Sequence, residues 1–335
     1  MEFRDFTAGK DDDGRRLDRI LRIFLKDKSL GEIYKLLRKG LIKVNHAKAK
    51  PEAHISEGDV ISIADFLFNS EGADVTETTE VSKNSAPSKN QLNIIFENKH
   101  LLIIDKPYGI SVHGAGAGAG STQLSLDKAV TAYYENKTAG KKDNSLAFRP
   151  GPLHRLDRNT TGLLVFSMSL EGAKWFSDGI KNHTIHKKYY GLAEGKLPET
   201  QNWEDTLSDS ETTLKGFHTV TQDDDGLKAQ TLAKPLAYGK LNNKDVTLVE
   251  YSIKTGRKHQ IRAQSKLHGH PLAGDKAYGG TDPKQKVFTR EYYLQAFSLS
   301  FPENNPLGLP KEIKMGLSSD FLRLLEYCEI ENPGL

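Results

Sequence analysis

Leu17, Ile20, Leu21, Phe24 and Leu25 recur at helical spacing, and the same period returns after Ser29 with Ile33, Leu36 and Leu37. Two short amphipathic helices are predicted, the second capped by Ser29, with Gly40 standing where a left-handed helix stop is needed. Ile42 and Val44, then Val60, Ile61 and Ile63 around Glu57-Gly58-Asp59, predict small β-pieces joined by turns. Apolar periodicity then fades. Residues 69–91 are rich in Ser, Thr, Asn and acids and read as a flexible tether between domains 1–68 and 92–335.

Beyond the tether, Asn93–Glu97 and Leu101–Asp105 predict two strands around a turn at Asn98–His100. Leu163-Leu164-Val165-Phe166 is a short apolar run, partly β-branched, and predicts a buried strand. Gly172–Gly179 predicts a helix. Lys187–Gly195 and Val246–Ile253 predict strands, Gly274–Gly280 is a turn-rich loop, and Leu294–Phe301 alternates as a half-buried strand does. The larger domain is therefore expected to mix α and β.

The chain has 335 residues, 37% hydrophobic and 27% charged, a composition that fits soluble two-domain proteins. Its net charge of +3 is modest, but the distribution is not even. Residues 15–50 carry twelve Lys or Arg against three acids, a net of +9, so the remainder carries −6. Arg16, Arg19, Lys35, Arg38 and Lys39 fall on the polar faces of the two predicted helices. A single cysteine, Cys328, permits neither an internal disulfide nor a cysteine-rich zinc site. The charged start Met1–Phe6 and the lack of long apolar stretches predict neither signal peptide nor membrane anchor, hence a cytoplasmic protein.

The candidate chemistry centres on Leu153-His154-Arg155-Leu156-Asp157-Arg158-Asn159-Thr160-Thr161-Gly162, which sets one carboxylate between two arginines at the mouth of an apolar run. Arg155 and Arg158 are expected to keep Asp157 ionised, as a nucleophile or charge stabiliser. In isolation the same pattern also fits a structural ion pair or an Asx turn. Lys106 and His113, flanking Pro107 and Gly109, can reach an anionic substrate or simply belong to a turn. Gly114–Gly120 alternates Gly and Ala, but no Gly-Lys-Ser or Gly-Lys-Thr follows, so it is a loop and not a P-loop. Tyr189 offers a ring that can stack on a nucleobase and a hydroxyl that can relay a proton, or it can be core. His183 and His186 have metal-ligand spacing without a third ligand, and chance placement on a helix face explains them better. Arg257, His259, Gln260 and Arg262 bunch within six positions. Arg262 is the candidate cation for Asp157, with Arg257 and His259 meeting phosphate.

Two resemblances organise these readings. Arg16-Leu17-Asp18, Ile33–Gly40, Val44-Asn45 and Glu57-Gly58-Asp59 resemble the S4 RNA-binding domain over residues 14–64. That likeness implies a helical face for structured RNA, in keeping with the charge count. Lys106-Pro107-Tyr108-Gly109 with His113, then His154–Asp157, Lys188-Tyr189-Tyr190, Gly256–Arg262, and Gly274-Asp275 with Tyr278-Gly279, resemble the RluA family of pseudouridine synthases over residues 92–301. With an S4 module in front, the likeness is to the type acting on large-subunit (23S) rRNA, free or in an assembling subunit.

The resemblance implies an α+β chain, with a mainly antiparallel sheet and flanking helices in the catalytic domain. It implies isomerisation of particular uridines without cofactor or metal, in a monomer. Asp157 would be the essential carboxylate, Tyr189 the active-site tyrosine and Arg262 the ion-pair partner. Arg155 would hold the place of the flipped-out nucleotide, with His154 and Arg158 beside it. Gln295 departs from the family, where histidine is common. Two rivals remain at this level: an inactive rRNA-binding or ribosome-assembly factor, and a glycosidic-bond hydrolase, which would need a second carboxylate that no motif supplies.

Overall fold

A computed structural model describes residues 1–25, 27–68, 92–114, 125–138, 145–209, 219–281 and 288–331. The expected tether 69–91, and the Gly-Ala run beyond Gly114, lie outside the described residues. The chain divides into two compact units: Met1–Ser88 with Thr131–Pro150 and Ser169–Glu171, and Lys89–Val130 with Gly151–Met168 and Gly172–Leu335.

In the first unit the order is β1 (Phe3–Thr7), β2 (Arg15–Arg16), α1 (Leu17–Phe24), α2 (Leu30–Arg38), β3 (Ile42–Val44), β4 (Ala47–Lys48), β5 (His54–Ile55) and β6 (Val60–Ala64). Both predicted helices form. Ser29 caps α2 in a reciprocal box with Glu32, and Gly40 takes φ +71° just past its end. Leu17, Ile20, Leu21, Ile33 and Leu37 are buried with Ile42, Ile61 and Ile63 of the small sheet β1-β6-β3-β4. Residues 131–138 and 145–150 belong to this unit, outside the border expected at residue 92. The physical reason is Asp12, which is buried and accepts hydrogen bonds from the Leu146 and Ala147 N–H groups and the Ser145 hydroxyl.

The remaining elements are β7 (Asn93–Glu97), β8 (Leu101–Lys106), α3 (Leu126–Thr138), β9 (Thr161–Ser167), α4 (Leu170–Lys181), β10 (His186–Glu194), β11 (Gln201–Asp209), β12 (Val220–Gln222), β13 (Leu227–Leu241), β14 (Lys244–Ile253), α5 (Gln260–Leu267), β15 (Leu294–Ser300), β16 (Glu312–Lys314) and α6 (Ser319–Tyr327). One sheet runs β12-β11-β13-β14-β10-β15-β9-β8-β7, with β16 on β15. Every pairing is antiparallel except β9 with β15. The strand at 294–301 is not half-buried as its alternation predicts. It sits between β10 and β9, and Leu294 through Leu299 are all buried.

Alternation along the strands sorts the side chains between the two faces. Tyr190 of β10 stacks on Phe297 of β15 and packs with Phe321, Leu324 and Leu325 of α6. Its neighbour Tyr189 must point the other way, as must Lys187. At one side of the sheet, Phe176 of α4 covers Leu163 and Val165. At the other, Ala263 of α5 covers Leu207, Val220 and Ala229. The strand–loop junctions on the Tyr189 face leave a hollow.

Candidate active site

That hollow is a cavity of about 300 Å³, lined by the loop Leu153–Asp157 with Thr160, by Lys187 and Tyr189, and by Gly256, Arg257 and His259–Arg262. Three lengths of chain build it: the loop entering β9, the start of β10, and the turn from β14 into α5. The buried strand β9 fixes the first, because all seven of its residues are inaccessible. Gln260 fixes the third. Its carbonyl accepts from the Thr255 hydroxyl and the Arg257 N–H, and its amide donates to the Gln230 carbonyl and Thr231 Oγ1.

Asp157 is partly exposed, at 15% of its side chain. Among the described residues its carboxylate accepts no hydrogen bond, and the nearest basic groups stand back, the Arg262 Nη1 cation at 3.8 Å and His259 Nε2 at 3.9 Å. Arg262 is committed elsewhere. It donates from Nε at 2.7 Å and Nη2 at 2.8 Å to Asp275, in a bidentate pair that is nearly dry. The guanidinium also lies over the Tyr292 ring at 4.5 Å and the Tyr278 ring at 4.9 Å. Burial opposes its charge, but Asp275, with Tyr292 and Asp157, holds its pKa above the ordinary arginine value. Arg262 is thus a fixed cation that faces Asp157 without closing on it.

His259 begins α5 at φ +52°, an unusual backbone state for a non-glycine residue. Its Nδ1 meets the Tyr278 hydroxyl at 2.9 Å, and that oxygen accepts the Val220 N–H. Burial lowers the imidazole pKa, against the pull of Asp157. Tyr189 is buried, and burial with the Asp157 charge pushes its phenol well above the ordinary value. Its hydroxyl is therefore neutral at ordinary pH.

Several expected roles change. Arg155 and Arg158 are exposed, and neither pairs with Asp157 among the described residues, so proximity in sequence does not become proximity of charge. Arg158 instead donates to the Gly109 carbonyl, and its own carbonyl accepts from the Gly109 N–H. Lys106 is fully buried and cannot reach substrate. Its ammonium donates to the carbonyls of Pro107 and Arg158, pinning one loop to the other, and burial lowers it to about 8. His113 is exposed beside Asp127 and does not line the cavity.

His259 faces Asp157 rather than a phosphate path. Gln260 has its amide occupied by its own loop and is not free to read RNA. His154 accepts the Val165 N–H and stacks on Phe176, and burial and Lys187 push its pKa down to about 3, so its ring stays neutral. Arg257 is exposed at the rim and donates to the Lys228 carbonyl. His183 lies in a turn and His186 begins β10, so the helix-face explanation of their spacing fails. Among the described residues no group of three metal-ligating side chains occurs.

On the first unit, Arg19, Lys35, Arg38 and Lys39 are exposed. Arg16 is not free: it pairs at 2.7 Å with Asp18, which also accepts the Tyr34 hydroxyl. Two roles were not read from the sequence. Asp275, quoted there as a turn residue and as part of a family motif but given no role, orients Arg262, and Tyr292 had no signal beyond an aromatic pair in a strand approach.

Comparison with known proteins accords with this geometry. The family model described as RNA pseudouridylate synthase matches residues 100–267, and that of the S4 domain matches residues 15–61. The ribosomal large subunit pseudouridine synthase C of Buchnera aphidicola is 30% identical over 298 residues, 86% of this chain and 85% of the relative. That of Haemophilus influenzae is 29% identical over 322 residues, 89% and 87% of the two chains. An uncharacterized RNA pseudouridine synthase of Bacillus subtilis is 27% identical, covering 96% of this chain and 97% of its own. Among solved structures, human RNA pseudouridylate synthase domain containing 4 shares the fold with a TM-score of 0.55 at 21% identity, over 72% of this chain and 94% of that one. With an S4 domain ahead of the matched catalytic region, this chain belongs to the RNA pseudouridylate synthase family, in its RluA branch.

Proposed function

We propose that this enzyme isomerises specific uridines of large-subunit rRNA, in the cytoplasm, with Asp157 as the catalytic carboxylate acting on a flipped-out nucleotide. The observation that carries the reading is an uncommitted carboxylate in a cavity that also holds a neutral tyrosine and a fixed arginine. Naming of the relatives for the ribosomal large subunit supports the substrate class. Residues 92–335 are assigned the chemistry and residues 1–68 part of the RNA grip.

Isomerisation breaks the N1–C1′ bond, turns the uracil in place, and joins C5 to the same C1′. As the bond breaks, positive charge develops on the sugar, and Asp157 can meet it as a counter-charge or by forming an ester at C1′. It can equally remove a sugar proton; both roles need the carboxylate free of a close ion pair. Arg262 stands 3.8 Å away as a fixed positive charge. A uridine in a stacked helix is unreachable from all sides, so it must leave the stack, and exposed Arg155 at the cavity mouth is suited to fill its place. Once C5 is bonded, its hydrogen must depart. The Tyr189 hydroxyl, kept protonated by burial, can accept that proton only while passing on its own, and so serves as a relay.

The test is carbodiimide labelling with primer-extension mapping of unmodified large-subunit rRNA, treated with wild type and with Asp157→Asn. Stops that appear with wild type alone are expected. Release of free uracil would convert the reading to a hydrolase, and binding without stops by wild type would favour an RNA-binding factor.

A further inference from the structure

Lys187 is a buried cation in the cavity for which the chemistry above has no use. It is 7% exposed, on the same face of β10 as Tyr189, and lines the cavity. Among the described residues its ammonium has no hydrogen-bond or ion-pair partner. A Cβ built on Gly256 would come within 3.2 Å of its Nζ, which places the charge against the backbone of the turn leading into α5. His154 lies within electrostatic reach of it; that ring is neutral, and Lys187 helps to keep it so. No carboxylate of the cavity answers this lysine.

A largely buried ammonium without a protein partner is costly, and proteins normally pair it or replace it. Here neither has happened and the ammonium is left open to the cavity, so its partner comes from what enters there. Resting on the RNA reading above, we propose that Lys187 binds a backbone phosphate flanking the flipped uridine, fixing the nucleotide's depth in the cavity. RNA offers one kind of full anion, the phosphodiester, and a nucleotide swung into this cavity brings its flanking phosphates to the wall. Gly256 leaves room for that approach. A side chain there would meet the ammonium itself.

Lys187 is a substrate-binding residue on this account, distinct from Asp157, Tyr189 and Arg262. Burial lowers its pKa to about 8, and a bound phosphate would raise it again.

The experiment is phosphate-ethylation interference on an unmodified large-subunit rRNA transcript, with full-length wild type, Lys187→Met and Lys187→Arg. Bound and free pools are separated and the ethylated positions mapped, and the same transcript is mapped for pseudouridine with wild type. Ethylation of one phosphate next to the modified uridine is expected to exclude RNA from the wild-type and Lys187→Arg bound pools but not from that of Lys187→Met. Lys187→Met should bind about ten- to a hundredfold more weakly, with a salt slope shallower by about 0.7 to 0.9. Its thermal stability should not fall. Identical interference maps, or unchanged affinity and salt slope in Lys187→Met, would overturn the proposal. A transcript that is bound but never modified would sink the isomerase reading while the interference maps still decide Lys187. One that wild type neither binds nor modifies overturns both.

Discussion

Asp275→Asn tests whether Arg262 is held back from Asp157 by a second carboxylate. The native pair has two hydrogen bonds, at 2.7 and 2.8 Å, between side chains only 9% and 1% exposed. Removing one partner from such a pair costs about 3 to 5 kcal/mol, because the other charge is left buried. Asparagine keeps one carbonyl acceptor, and Asp157 lies 3.8 Å away as an alternative partner. The loss in stability should therefore be smaller, about 2 to 3 kcal/mol. The same move disables the site: the guanidinium swings onto Asp157 and occupies the carboxylate. Single-turnover release of tritium from 5-tritiated uridine in rRNA should fall about a hundredfold, about 2.7 kcal/mol in barrier, with RNA affinity near that of wild type. Arg262→Met should destabilise as well, and the double variant should cost little more than either single one, a coupling of about 2 kcal/mol by urea unfolding. Additivity within about 0.5 kcal/mol, or normal turnover in Asp275→Asn, would refute the reasoning.

Lys187 lies at 10.5 when unperturbed and at about 8 in the fold. Between those values the unfolded chain holds a proton that the folded one has lost, so stability rises with pH across the window, by about 3 kcal/mol. Lys187→Met should lack that rise and match or exceed wild type at pH 7 in urea unfolding; an unchanged pH slope would count against the burial of the charge. Gly162 has φ +102°, and a Cβ there would lie 2.1 Å from the Ala296 carbonyl oxygen across the β9–β15 pair. Gly162→Ala should give insoluble or unfolded protein, since both the backbone state and the space are wrong, and a soluble, active variant would show that the pairing is looser than described. Replacing Lys35, Arg38 and Lys39 by glutamine should flatten the salt dependence of RNA binding by about 2 in log–log slope, measured by filter binding. An unaltered slope would remove that face from the interface.

Much of the fold was legible because its signals are local. Helical periods at residues 17–25 and 33–37 and the apolar run at 163–166 each carry their own instructions. What escaped depends on neighbours distant in sequence. Strand β13 contains Pro235, which argues against an interior strand, yet the chain accommodates it at a register shift between Pro235 and Ala237. The run at 294–301 reads as half-buried because Gln295 and Ser298 are polar. Both are satisfied inside, Gln295 by the Gly316 carbonyl and the Ser318 N–H, and Ser298 by Glu312. At the site, Asp157, Tyr189 and Arg262 line one cavity, as their motifs imply. The arginines beside Asp157 misled: Arg158 is turned to the Gly109 carbonyl, and Arg155 is exposed at the cavity mouth, so neither closes an ion pair with the carboxylate. Lys106 and Gln260 misled for another reason: a polar side chain in a motif serves a loop as readily as a ligand.

The distance between Asp157 and Arg262 bears on how such a site can exist at all. A carboxylate that must meet a developing positive charge on a sugar cannot also sit in a tight, bidentate ion pair, since breaking that pair would add to the barrier. A carboxylate with no cation near it would lack a fixed positive charge to complement its own. The fold meets both demands by giving Arg262 a closer partner. Asp275 takes Nε and Nη2, the Tyr278 and Tyr292 rings flank the plane, and Nη1 alone is left facing Asp157 at 3.8 Å. The positive field reaches Asp157 while its lone pairs stay open to substrate. Under the proposed function Asp275 is a positioning residue that touches nothing that reacts, and the turn that carries it would determine the chemistry as much as the loop that carries Asp157.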